Sequence, residues 1–363
     1  MSRLLRLSAM PSRRDPDAVL EATLRALVRS ALGREATGFE PIAGQIGLRR
    51  FLRIRLSPRP GGPATLVARI EAPEDPASRP AGAAPEPPLE PIRRLLEASG
   101  LPVPARFGGD PAAGIELLED AGERSLASAV AGADEGTRRA LYREVCALVP
   151  RLQRIAGPAP GVAAFERRLG AEQIAYKATR FIEWSLPERG RPASRAEAQA
   201  VRAAFDAVAE AVARAPLRLA HRDLQSSNVH VREDGRLMLL DLQGAWLAPP
   251  EYDLVCLLRD SYVELPAREI EEQLARVRPE LPDAPAREEL EARFDLLTLA
   301  RKGKDHALFH FVARTRDDPR YLRFAPATVR HLRAAAGRAA ARDARLAPLA
   351  ELIAELPETP CAP

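Results

Sequence analysis

The stretch His221-Arg222-Asp223-Leu224-Gln225-Ser226-Ser227-Asn228, followed by Leu239-Leu240-Asp241-Leu242-Gln243, constrains this chain more than any other feature. It sets an aspartate, an asparagine five positions on, and a second aspartate at the end of an apolar run. Between the last two lie Val229-His230-Val231 and Leu237-Met238-Leu239-Leu240, on either side of Asp234-Gly235. Asp-Gly between two such runs predicts a β-hairpin, and a hairpin returns Asn228 and Asp241 to the same open end. A fold that accepts this segment must hold one carboxylate, Asp223, on a loop beside a paired amide and carboxylate.

The spacing matches the pattern H-R-D-L-x-x-x-N in full. Phosphoryl transfer from ATP on a kinase-like fold needs these three groups: a carboxylate to receive the hydroxyl proton, and an amide and a carboxylate to hold Mg²⁺. Asp223 is the expected catalytic base. Asn228 and Asp241 are the expected oxygen ligands of an octahedral Mg²⁺. His221 and Arg222 are expected to brace the loop. Protein kinases place a long activation segment after the second aspartate, whereas here Asp241 is followed by Asp253 after only 253 − 241 = 12 positions. Gln225 also stands where protein kinases hold a lysine, so a protein kinase is disfavoured.

The 363 residues suffice for one two-lobed unit, and 46% apolar residues can bury a sizeable core. No run approaches the length of a membrane span, and arginines break the apolar residues of the first segment, so no signal peptide is expected. Cys146, Cys256 and Cys361 are far apart and odd in number, which argues against disulfides or a zinc site and for a reducing cytoplasm. The net charge of +4 is spread among interspersed arginines and carboxylates, a solvated surface rather than a nucleic-acid groove. Lys177, Lys302 and Lys304 are the only lysines.

Residues 1–14 read as a loose tail. A helix follows, with Asp15 as N-cap, Pro16 in the first position and Val19, Leu20, Leu24, Leu27 and Val28 on its apolar face. Strands are expected at 39–43, 51–56, 65–70, 105–107 and 115–118, a loop over 71–91, and a helix over 91–99. Long amphipathic helices follow at 137–154, 165–184 and 195–213, and helices resume from Tyr252. This order predicts an α+β, protein-kinase-like, two-lobed fold. Its β-rich N-lobe would span 15–120 and bind nucleotide. Its helical C-lobe, 121–363, would carry the catalytic loop and acceptor site, with a hinge near Leu118-Glu119-Asp120.

The chain resembles the aminoglycoside-phosphotransferase-like superfamily of small-molecule kinases, and within it the bacterial anomeric N-acetylmuramate/N-acetylglucosamine kinases. The matching pieces are 47–53, Gly100-Leu-Pro-Val-Pro104, Leu117-Leu-Glu-Asp120, Phe181-Ile-Glu-Trp184, the 221–228 octet, Leu240-Asp241-Leu-Gln243, Tyr252-Asp253-Leu254 and Tyr321-Leu322. The resemblance implies Asp223 as base, Asn228 and Asp241 as metal ligands, ATP and Mg²⁺ as cofactors, and an amino sugar phosphorylated at its anomeric hydroxyl. It also implies that Asp253 is a buried brace of the catalytic loop. The same residue reads equally as a helix N-cap.

Kinases usually place a lysine on the third strand, and this chain has none before Lys177. Arg69 is the available substitute, since guanidinium can fork onto phosphate oxygens; the other reading is an exposed strand arginine. Glu90 could pair with it or serve as a first-turn glutamate. Gly44 and Gly47 fill the turn between the first two strands, as a phosphate loop or a plain hairpin turn, and Glu119 completes the nucleotide-side candidates. On the acceptor side, Gln225 and Gln243 could hydrogen-bond hydroxyls. Trp184 and Trp246 could stack on a sugar or simply pack. Lys302, Lys304, His306 and His310 line either a pocket or a polar helix face. The missing lysine leaves a nucleotide-binding regulator without turnover as a rival, beside kinases of an aminoglycoside or a choline-like alcohol.

Overall fold

The computed structural model describes residues 16–42, 49–71 and 86–358. They fall into two compact units, one of residues 16–42, 49–71 and 104–120, the other of residues 86–103 and 121–358. The tail, Asp15, the turn carrying Gly44 and Gly47, most of the expected 71–91 loop, and Cys361 lie outside the described residues.

The smaller unit is a helix on a sheet. Helix α1 (Pro16–Leu32) begins at proline, whose missing N–H is no loss in a first turn, and ends before Gly33 at φ 62°. Strands β1 (Ala36–Ile42), β2 (Arg50–Leu56), β3 (Thr65–Ile70), β4 (Arg106–Asp110) and β5 (Ile115–Glu119) form an antiparallel sheet in the order β1-β2-β3-β5-β4. Period-2 alternation puts Leu52, Ile54 and Leu56 of β2 in the core with Leu24 and Val28 of α1. Arg53, on the opposite face, pairs with Asp120 at 2.6 Å. Val19, expected on the apolar stripe of α1, is 45% exposed, and the stripe starts one residue later at Leu20.

The larger unit is mostly helical. It contains α2 (Leu89–Ala98), α3 (Leu126–Val130), α4 (Glu135–Cys146), α5 (Leu148–Gln153), α6 (Ala171–Trp184) and α7 (Arg195–Arg214). After short strands β6 (Arg218–Ala220), β7 (Val229–Val231), β8 (Leu237–Leu239) and β9 (Trp246–Ala248) come α8 (Tyr252–Leu258), α9 (Ala267–Val277), α10 (Arg287–Thr315), α11 (Ala325–Arg342) and α12 (Ala347–Ala354).

The helix expected over 137–154 is two helices, because the ring of Pro150 excludes the carbonyl of Cys146, four residues back, as a partner. The one expected over 165–184 starts at Ala171, where the Gln173 side chain accepts the Gly170 N–H at 3.0 Å. Helix α10 is buried along most of its length and carries α6, α7, α8 and α11 against it. Gly303 permits the closest approach, since a Cβ there would lie 3.2 Å from the Phe181 ring. Strands β7 and β8 form the hairpin expected around Asp234-Gly235, with Val229 opposite Leu239 and Gly235 at φ 81°.

Candidate active site

The loop 221–228 joins β6 to β7 and has no ladder of its own, so its backbone N–H groups need other acceptors. Two buried aspartates supply them. Asp253, in the first turn of α8, accepts the His221 N–H at 2.7 Å and the Arg222 N–H at 2.9 Å. Glu251, not Asp253, occupies the cap position of that helix. Asp260, just beyond α8, accepts the N–H of Ser226 at 2.8 Å, its hydroxyl, and the N–H of Tyr262 at 3.2 Å. Burial pushes both carboxyls up, and the donors around them oppose it. The His221 ring contributes Nε2 to the Leu240 carbonyl at 2.9 Å, tying the loop to the strand that leaves the open end of the hairpin.

These anchors hold two non-glycine residues in the left-handed region, Arg222 at φ 78° and Asp241 at φ 62°. Such strain persists only where surrounding contacts over-determine it. The Leu240 N–H donates to the Asn228 carbonyl at 2.8 Å, so Asn228 and Asp241 stand at the same open end of the hairpin. Asn228 Nδ2 donates to the Asp223 carbonyl at 2.8 Å. Gln243 Nε2 donates to Asp241 Oδ1 at 2.5 Å. Gln225 takes part through its backbone, its N–H to the Asp223 carbonyl at 2.8 Å and its carbonyl to the Asn228 N–H at 2.9 Å.

Asp223 has a side chain 22% exposed, and its two oxygens differ. Oδ1 accepts from Arg301 Nη1 at 2.8 Å, while Oδ2 lies 3.7 Å from Arg222 Nε. Gly244 borders Oδ2, where a Cβ would stand 3.6 Å away. Burial alone would raise this carboxyl, but Arg301, Arg222 and Lys304 outweigh it and hold it well below the usual carboxylate range.

Sequence reading passed over Arg301 and Asp260. Arg301 is fully buried in α10, donates to the Arg222 carbonyl at 3.2 Å as well as to Asp223, and meets Asp305 through Nε at 3.2 Å. Its neighbours Lys302 and Lys304 look alike in sequence but differ in place. Lys302 is buried on Asp305 (2.8 Å) and Ser261 (3.2 Å), while Lys304 is 30% exposed and 3.6 Å from Asp305.

His306 and His310 share a face as their spacing requires, with rings 4.5 Å apart, but both are buried, so they are not a polar helix face. His306 Nδ1 meets Ser185 Oγ at 3.0 Å, and His310 Nδ1 meets Glu188 at 3.2 Å. Trp246 is buried edge-on against Tyr252, and the half-buried Trp184 stands edge-on to Phe311. Among the described residues, no group of three or more His, Cys, Asp or Glu could hold a metal ion.

In the smaller unit Arg69 is 4% exposed and pairs with Glu71 at 2.5 Å, which removes the reading as an exposed strand arginine. Glu90, in the larger unit, is held by Arg93 at 2.6 Å. The Glu119 carboxylate accepts the Ala105 N–H at 3.1 Å where β4 and β5 begin to pair.

The phosphotransferase enzyme family model matches residues 38–292. An N-acetylmuramate/N-acetylglucosamine kinase of Pseudomonas aeruginosa is 26% identical over 326 residues, 88% of either chain. A protein of the same description from Caulobacter vibrioides is 34% identical over 180 residues, 46% of this chain and 47% of that one. The crystal structure of the choline kinase LicA from Streptococcus pneumoniae superposes with a TM-score of 0.57 at 15% identity, covering 89% of this chain and 99% of that one. That likeness is one of fold, and the kinase-like α+β architecture expected from sequence is the one observed.

Proposed function

This chain belongs to the phosphotransferase enzyme family and is a small-molecule kinase, and from that premise we propose that it moves the γ-phosphoryl group of ATP to the anomeric hydroxyl of an N-acetyl amino sugar. The observation that carries the reading is the Asp223 carboxylate, gripped on one oxygen by Arg301 beside the Asn228 and Asp241 pair. The two relatives described for N-acetylmuramate and N-acetylglucosamine support the acceptor class.

In this reading Asp223 Oδ2 orients the acceptor hydroxyl. A carboxylate held so far below its usual range is a weak base, so it takes the proton late, after the new O–P bond has largely formed. An anomeric hydroxyl belongs to a hemiacetal and is more acidic than an ordinary alcohol, which suits a weak base. Asn228 and Asp241 are the proposed holders of Mg²⁺, since an amide and a carboxylate oxygen are hard donors of the kind that ion takes and the two residues flank the open end of one hairpin. When bound, that ion would neutralise phosphate charge. Arg69 and Glu119 are the proposed nucleotide-side residues of the smaller unit, with Gly44 and Gly47. Acceptor hydroxyls are assigned to Gln225 and Gln243. His221, Arg222 and Asp253 keep the loop in place, and His306 serves the packing of α10 rather than the acceptor.

The test is ATP consumption with N-acetylmuramate, N-acetylglucosamine, an aminoglycoside and choline, for the wild type and Asp223→Asn, with the product's phosphate located by ³¹P NMR. Transfer to C1 of an N-acetyl amino sugar, lost in the variant, is the expected result. Transfer to choline or the aminoglycoside alone, or an active Asp223→Asn, would overturn it.

A further inference from the structure

Lys177 is a buried group that this mechanism does not use. It projects from α6, is 6% exposed, and donates only to Tyr252 Oη, at 3.5 Å, with its ammonium 5.8 Å from that ring. No carboxylate of the described residues lies within ion-pair distance of it. A buried ammonium without a counter-ion is costly, and a protein usually avoids it.

The charged groups around Lys177 deepen the anomaly. Burial first, then Lys304, Arg301 and Arg222, push its amine down to about 7, and Asp305 alone pulls the other way. Further donors gather at the same aromatic pair. Trp246 packs edge-on against Tyr252 with ring centroids 5.6 Å apart, and the Arg222 guanidinium lies 5.0 Å over Trp246. Trp246 Nε1 and Arg301 Nη2 are buried and meet no acceptor among the described residues. Cations and unfilled donors around one aromatic pair, beside the carboxylate that faces the acceptor, match the chemistry of an anion.

We propose that Lys177, with Tyr252 and Lys304, forms a subsite for an anionic group carried by the acceptor, a carboxylate on the sugar. The identity of the sugar rests on the reading above, and the anion does not. Empty, the subsite leaves Lys177 neutral once the pH rises above about 7. Filled, it protonates Lys177, so binding above neutral pH takes up a proton. The anion could also come from a nucleotide phosphate, and the experiment separates the two sources.

With three lysines in the chain, ¹³Cε-lysine labelling gives three NMR signals, and Lys177→Met assigns one of them by its loss. The midpoint of that signal should rise by about one unit or more with N-acetylmuramate and with D-lactate. It should stay put with N-acetylglucosamine and with a non-hydrolysable ATP analogue plus Mg²⁺. In kinetics, Lys177→Met should lower the ratio of kcat/KM for N-acetylmuramate to that for N-acetylglucosamine by about tenfold. A midpoint unmoved by both anions, or moved by the nucleotide alone, overturns the subsite, as does an equal loss on both sugars. If neither sugar is phosphorylated while D-lactate still shifts Lys177, the amino-sugar reading falls and the subsite stands.

Discussion

Arg301 Nη1 donates to Asp223 Oδ1 at 2.8 Å across 78 residues of sequence, and the same guanidinium holds the Arg222 carbonyl. One side chain of α10 thus fixes both the backbone and the carboxylate of the loop. Arg301→Met should lower stability by about 3 kcal/mol in urea denaturation, the loss expected when one partner of a buried pair is removed. Its kcat should fall at least about tenfold with little change in the KM for ATP. Arg301→Lys keeps the charge but not the fork, and should lie between the two. A Met variant with unchanged kcat would show that Asp223 needs no such support.

Gly244 sits where a larger side chain would cover Asp223 Oδ2. A Cβ there meets nothing closer than 3.6 Å, so Gly244→Ala should fold with a stability within about 1 kcal/mol of wild type. Gly244→Val reaches further over the carboxylate. It should raise the acceptor KM by about tenfold or more while the KM for ATP holds, roughly the effect of losing one well-placed contact. Unchanged acceptor kinetics in a folded Val variant would place the acceptor elsewhere.

Asp260 faces only donors, so Asp260→Asn turns an NH₂ group toward at least one N–H or O–H. The variant should lose about 2–3 kcal/mol of stability, against about 1 kcal/mol for Ser226→Ala, which removes a single hydroxyl bond. It should also lower kcat, although Asp260 lies behind the loop. Equal stability losses in the two variants would mean the carboxylate matters no more than the hydroxyl it receives.

His331 links stability to pH. Its Nε2 donates to the Asp260 carbonyl at 3.2 Å, and burial, then Lys302 and Arg259, push the ring down to about 3, with Glu264 opposing. An unfolded histidine titrates near about 6.5. Below that pH the unfolded chain takes up a proton that the folded chain refuses, so this residue removes about 1.4 kcal/mol of stability per pH unit as pH falls toward 3. His331→Gln has no such linkage. Its deficit, about 1–2 kcal/mol at pH 7.5 for the weakened hydrogen bond, should nearly vanish by about pH 5.5. Paired urea titrations at the two pH values decide it, and an identical deficit at both would refute the assignment.

The reactive loop was legible because its groups are local. Asp223, Asn228 and Asp241 fall on one contiguous segment, and Asp234-Gly235 announces the hairpin that gathers the last two. Arg301 and Asp260 were not legible, since nothing near either residue signals a partner in the loop. Burial was the other blind spot. A 3.6-residue period places His306 beside His310 correctly, yet does not say whether that face meets solvent, and α10 is covered on nearly every side. The same limit hid the difference between Lys302 and Lys304. The break between α4 and α5 could have been read from Pro150, whose ring forbids a continuous helix.

Both aspartates that hold the loop come from α8 or its exit, so three loop amides depend on one short helix. A segment without regular structure should therefore exchange its amide hydrogens as slowly as the core. The N–H groups of His221, Arg222 and Ser226 are released only when α8 itself opens. Their exchange rates then report the stability of that helix. A loop bound in this way cannot serve as the gate of a turnover cycle, and any step that admits or releases ligand has to be taken by other parts of the chain.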